Sequence, residues 1–163
     1  MTKRIVLLFC ALLVGSLHSF AQAGGVAGEW RGVWTDVVGS VYSAEMTLQS
    51  GSSCKSCTAT GTGSVRGKIV WTLRRAGKNN PADYANKVGM TGTEYVSGQM
   101  RGGVLALNGY QKDDPNAILA LDKYRLVLSD NGQVIGGITY NNGLWMGQFI
   151  AKSVQPEVVP HPQ

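Results

Sequence analysis

Along most of this chain, apolar and polar residues alternate with a period of two rather than recurring every third or fourth position. Gly28 to Thr35 sets Trp30 and Trp34 on one side and Glu29 and Arg31 on the other. Val41 to Gln49 repeats the pattern, with Tyr42, Ala44, Met46 and Leu48 set against Ser43, Glu45, Thr47 and Gln49. Ile69, Trp71 and Leu73 alternate with Lys68, Thr72 and Arg74, and Tyr124, Leu126 and Leu128 with Lys123 and Arg125. Trp145, Gly147, Phe149 and Ala151 make a last apolar set. Short segments of this kind are strands with one face in a core and the other in water.

Turn signals fall between the segments: Gly102-Gly103, Asp130-Asn131-Gly132 and Asn141-Asn142-Gly143. Such sequences join antiparallel neighbours through tight hairpins. The spacing predicts about eight strands, at roughly 28–37, 40–50, 58–75, 87–100, 103–110, 121–130, 133–140 and 143–153, the third breaking at Gly67. No stretch sustains a helical period, although Pro115 to Leu121 has room for a turn or two of helix. Gly32, Gly98, Gly136 and Gly147 sit inside strands, where glycine allows sharp coiling or lets a ring pack across the backbone. An even set of antiparallel strands with aromatic first and last members predicts an all-β, up-and-down barrel, with an open β-sandwich as the alternative.

The first residues read differently. Lys3 and Arg4 precede an apolar run from Ile5 to Val14, and Ala21-Gln22-Ala23 follows as a small-x-small sequence. That order predicts a secretory signal peptide over residues 1–23. The run is about ten residues, short of the ~20 that span a bilayer. Cys10 lies within the run rather than directly after the cleavage point, where a lipid-bearing cysteine would stand. The expected organisation is a signal peptide at 1–23, one barrel domain at 24–153 and a Pro-rich flexible tail at 154–163. The expected destination is the periplasm or the medium, with no transmembrane segment left after cleavage.

The chain of 163 residues carries a formal charge of +5, yet Arg74-Arg75 is its only adjacent basic pair after the leader. Nucleic-acid binders concentrate such charge in a patch or stripe, so nucleic acid is not an expected partner. Its two histidines are His18 and His161, in the leader and the tail. That removes histidine-based nucleophilic systems from the domain, and with them the commonest zinc ligand. Acid–base chemistry would fall to carboxylates, lysine or tyrosine. Glu29, Asp36, Glu45 and Glu94 are candidates by type, but Glu29 and Glu45 alternate with core residues and should face water. Two buried carboxyls meeting in one pocket would be needed to favour an enzyme. Asp113, Asp114, Asn116 and Asp122 offer oxygens for calcium, but without the spacing of a calcium loop; they also suit turns. No cofactor or metal is expected.

Cys54 and Cys57 are the remaining thiols. A redox centre wants Cys-x-x-Cys at a helix start, whereas these flanks are loop and strand, and zinc wants two further ligands. Export favours a disulfide staple, worth roughly 2 kcal/mol for so short a loop.

Trp30, Trp34, Trp71, Tyr124, Trp145 and Phe149 fall on the inferred inner face and are the candidate ligand-binding residues. They could line a pocket for an apolar or planar ligand, or simply fill a narrow eight-stranded interior.

Gly28-Glu29-Trp30, opening the first strand of a small exported barrel, resembles the start of the calycin group, the lipocalins and avidins. The resemblance implies a barrel, a tryptophan at Trp30 packing across its floor, and a central cavity without a named ligand. Lacking a long helix after the last strand, the layout is more similar to avidins. The run from Gly109 through Pro115 to Leu126 also resembles small exported bacterial domains of uncharacterised role. The expected function is a non-enzymatic binding module. Its alternative is an envelope protein-interaction or inhibitor domain with a filled core, working through loops at Gly51–Thr58, Gly77–Asn86 or Lys112–Asn116.

Overall fold

The computed structural model describes residues 25–51, 62–78, 80–141 and 145–154. The expected signal peptide, the Cys54–Cys57 pair, the Asn142-Gly143 turn and nearly all of the tail lie outside them. The strands are β1 (Gly28–Asp36), β2 (Val41–Ser50), β3 (Thr62–Arg75), β4 (Thr91–Arg101), β5 (Val104–Asp113), β6 (Lys123–Leu128), β7 (Val134–Tyr140) and β8 (Met146–Ser153). Each pairs antiparallel with its neighbours in sequence, and β1 pairs with β8 from Trp30↔Ser153 to Asp36↔Gly147. The result is a closed up-and-down barrel rather than a sandwich, and closure leaves no free sheet edge.

Alternation decides which residues enter it. β6 buries Tyr124, Leu126 and Leu128 and exposes the residues between them. β2 buries Tyr42, Ala44, Met46 and Leu48 by the same rule. The far half is solidly filled by Trp30, Met46, Leu48, Met100, Leu105 and Ile135. Trp30 donates its indole N–H to Val26 O at 3.0 Å, which satisfies the one polar atom of a fully buried ring.

Most strand ends fall within a few residues of the sequence expectation, and three local features differ from it. β3 runs through Gly67 without a break, because Gly67 packs against the β2 backbone, where a Cβ would fall 2.0 Å from Thr47 O. β4 starts at Thr91 rather than 87. A 3-10 helix, Ala82–Lys87, occupies the connection, and Gly89 turns the chain at a φ of 90°. Pro115 to Leu121 forms no helix, because the Asp114 side chain captures the Ile118 and Leu119 amides at 3.0 and 2.8 Å and bends the backbone into a loop.

The connections segregate by end. The β1–β2, β3–β4, β5–β6 and β7–β8 connections gather at one end, which we call the mouth. The other three lie at the base, beside both ends of the barrel chain. Gly51, after β2, is therefore at the base, whereas the described residues of Gly77–Asn86 and Lys112–Asn116 flank the mouth; the rest of the Gly51–Thr58 loop lies outside the described residues.

Candidate functional site at the barrel mouth

Above the filled half, the barrel opens into a chamber of about 250 Å³. Trp34 from β1, Tyr42 from β2 and Trp71 from β3 form its aromatic floor, with Tyr84 and Trp145 at its rim. Trp34 and Tyr42 meet edge to face at 5.5 Å, Tyr42 and Trp71 at 6.2 Å, and Trp71 and Phe149 at 5.7 Å. Such contacts hold the rings as one rigid unit. Gly147 makes room for it: a Cβ there would lie 2.1 Å from the Trp34 ring. A Gly147→Val protein should lose about 1–3 kcal/mol and show altered tryptophan emission as Trp34 is displaced. Unfolding followed by fluorescence checks both, and unchanged emission and stability would contradict the packing.

The remaining wall is polar and acidic. Inward alternation on β4 carries Glu94 to the position between Gly92 and Val96, leaving it 1 % exposed. Its Oε1 accepts the Asp122 N–H at 2.8 Å; its Oε2 accepts the Trp71 indole N–H at 3.3 Å and the Tyr124 hydroxyl. Gly109 on β5 leaves space for this carboxyl, since a Cβ there would sit 1.8 Å from Oε1. A shift in register at Tyr95/Val96 makes Tyr110 the extra residue, directly after that glycine. Burial pushes Glu94 up from 4.5 to about 7, against hydrogen bonds that favour its ionised form and with Asp122 adding to the rise.

Asp122, just before β6, is the second carboxyl of the chamber. Its Oδ1 accepts from Asn141 Nδ2 at 3.2 Å, and the Thr139 side chain also bonds to it. Thr139 in turn accepts the Trp34 indole N–H at 2.6 Å, so aromatic floor and acidic wall share one network. Burial raises Asp122 from 3.8 to about 6, with those hydrogen bonds pulling the other way.

Tyr42 donates to Ile118 O at 2.8 Å and Tyr84 to Ala117 O at 3.3 Å, clasping the β5–β6 loop over one side of the mouth. Ala117 holds a left-handed φ of 51°, a strained conformation for a residue with a Cβ. Burial raises the hydroxyls of Tyr42, Tyr84 and Tyr124, which stay protonated donors.

Of the aromatic residues picked out in the sequence, the chamber gathers Trp34, Trp71 and Trp145. Trp145 precedes β8 and stands at the rim, 37 % exposed. Trp30 lies at the base; Tyr124 and Phe149 are buried beneath the chamber and support it. Glu29 and Glu45 face water. The oxygens considered for calcium do other work: Asp114 shapes its loop and meets Lys112 at 3.2 Å, Asp113 is exposed, and Asp122 faces the chamber. Among the described residues, no three His, Cys, Asp or Glu side chains gather as a metal site.

No family model, curated protein or solved structure matches the chain. No helix among the described residues is long and apolar enough to cross a membrane. Nothing in the sequence marks Thr139 or Asn141 as site residues; it offers Asp122 only as a turn or calcium oxygen, and Tyr84 only as part of the loop at Gly77–Asn86. Glu94 carried a readable signal, an acid two positions from Val96 on the inward phase of its strand.

Proposed function

We propose that this protein is an exported, non-enzymatic binding module that holds a small planar or compact apolar ligand in the mouth of its barrel. The observation that carries the reading is the chamber: the base of the barrel is filled, while Trp34, Tyr42 and Trp71 line open space at the other end. Concave aromatic surface with a few fixed polar groups is the usual composition of a small-molecule site. A chamber of about 250 Å³ suits a small ring system or its equivalent. Export rests on the charge, apolar run and small residues of the first 23 positions.

Native mass spectrometry of the protein purified from its own host, followed by tryptophan-fluorescence titration with the released compound, tests the reading. The expected result is a small adduct whose return shifts the emission, and an affinity at least about ten-fold weaker in Trp71→Ala. Isolation with a protein partner and no small adduct would instead favour the loop-interaction alternative.

A second reading has one observation in its favour. Glu94, buried, and Asp122, half-buried, are two carboxyls on one aromatic pocket, the minimum equipment for acid–base cleavage of a glycoside. Three donors already engage Glu94, which suits an anchor better than a proton-transfer group. Release of the aryl group from nitrophenyl glycosides, abolished in Asp122→Asn, would establish the enzyme; no release over background leaves the binding module.

A further inference from the structure

We infer that the ligand of the mouth is a small organic cation, an ammonium or amidinium group on a planar or compact apolar body, with Asp122 as its direct counter-ion. This rests on the binding-module reading and specifies the chemistry of the same chamber.

Charge balance comes first. Among the described residues, the lining includes two carboxyls, Glu94 and Asp122, and no lysine or arginine. The nearby cations are turned to other tasks. Lys87 pairs with Asp83 at 2.9 Å and sits 4.9 Å from the centre of the Tyr84 ring. Lys112 is held by Asp114 and by Leu119 O, and Lys123 lies 6.0 Å from the Tyr140 ring centre. A further anion, Asp36, lies at the β1–β2 turn, with Oδ1 spent on the Val38 and Ser40 amides. An anionic ligand would find nothing to neutralise it, whereas a cation would meet unbalanced negative charge.

The aromatic composition agrees. Trp34, Tyr42, Trp71, Tyr84 and Trp145 share the chamber with those acids, and tryptophan and tyrosine rings attract cations through their electron-rich faces. A merely apolar ligand would need the rings but not the acids.

Lone-pair accounting separates the two carboxyls. A carboxylate offers about four acceptor sites. Glu94 spends three of them, including one that fixes the backbone N–H of Asp122. Asp122 spends two, on Asn141 and Thr139, and keeps capacity for N–H donors from a ligand. Glu94 is thus a positioning residue and Asp122 the group in contact. Burial raises both acids, and a cation held against Asp122 would favour its ionised form.

The test compares matched probes: 2-phenylethylammonium, neutral 2-phenylethanol and anionic phenylacetate, titrated against the full chain by calorimetry and tryptophan fluorescence. The ammonium should bind at least about ten-fold more tightly than the alcohol, and phenylacetate more weakly than either. Asp122→Asn should bring the ratio of ammonium to alcohol affinity down to near one. In the unaltered protein, ammonium affinity should fall as pH drops through about 6, where Asp122 takes up its proton, and alcohol affinity should not; this arm needs no variant to fold. Equal binding of ammonium and alcohol, or preference for phenylacetate, overturns the cation while leaving the aromatic site standing. Failure of all three probes at millimolar concentration overturns both.

Discussion

Replacing Glu94 with alanine should cost the protein about 3–5 kcal/mol of folding stability, more than an ordinary core truncation of similar size. The loss comes from what the carboxyl leaves behind. Trp71 Nε1, the Tyr124 hydroxyl and the Asp122 amide all donate to it, and each would become a donor without an acceptor. A buried orphan of this kind costs about 1–3 kcal/mol. Glu94→Gln should cost less, about 1–2 kcal/mol, because its carbonyl can still take the Asp122 amide and the Tyr124 hydroxyl can rotate. Urea unfolding of the three proteins gives the ranking. An alanine variant within about 1 kcal/mol of the parent would show that the network is not structural.

The second large effect is a stability that falls as pH rises. Glu94 goes from 4.5 to about 7 and Asp122 from 3.8 to about 6 on folding. Between those values the folded chain keeps protons that the unfolded chain has lost, so unfolding releases them and becomes easier at higher pH. The contribution is fully present below about pH 4 and gone once pH has passed through about 7. At about 1.4 kcal/mol per pH unit, Glu94 alone accounts for roughly 3 kcal/mol. Denaturation midpoints for the empty protein should therefore decline from pH 4.5 to pH 8, and Glu94→Gln should flatten the curve. A midpoint that climbs over that range in the parent, and equally in the glutamine variant, would mean that these acids ionise in the fold as readily as in water. Saturation with a cationic ligand should also flatten the curve, because the bound charge favours ionised carboxyls.

Alternation made the barrel legible before its structure. Strands such as Lys123–Leu128 read correctly because each inward residue is large and apolar and each outward one polar. The connection from Ala76 to Met90 was harder: the inward and outward classes blur there, and a 3-10 turn after Pro81 replaces the start of the strand. The candidate site was half legible. Trp34 and Trp71 announced themselves by size and phase. Asp122, Thr139 and Asn141 did not, because their role depends on a meeting of β1, the residue before β6 and the end of β7 that no single segment encodes. Glu94 lies between these cases. Its phase placed it inside, while its charge argued for water, and only the three donors supplied by distant residues reverse that preference.

The pairing of β1 with β8 has an orientational consequence. Trp30 lies opposite Ser153, and the Val154 amide donates to Glu29 O at 2.8 Å, so the chain enters and leaves the barrel side by side at the base. The chamber occupies the opposite pole. A protein tethered by either extremity, to a surface, a support or a larger assembly, stands like a cup on its stem, rim toward the surrounding medium. Anything fixed at the base would thereby lie at the far end of the barrel axis from anything held in the chamber.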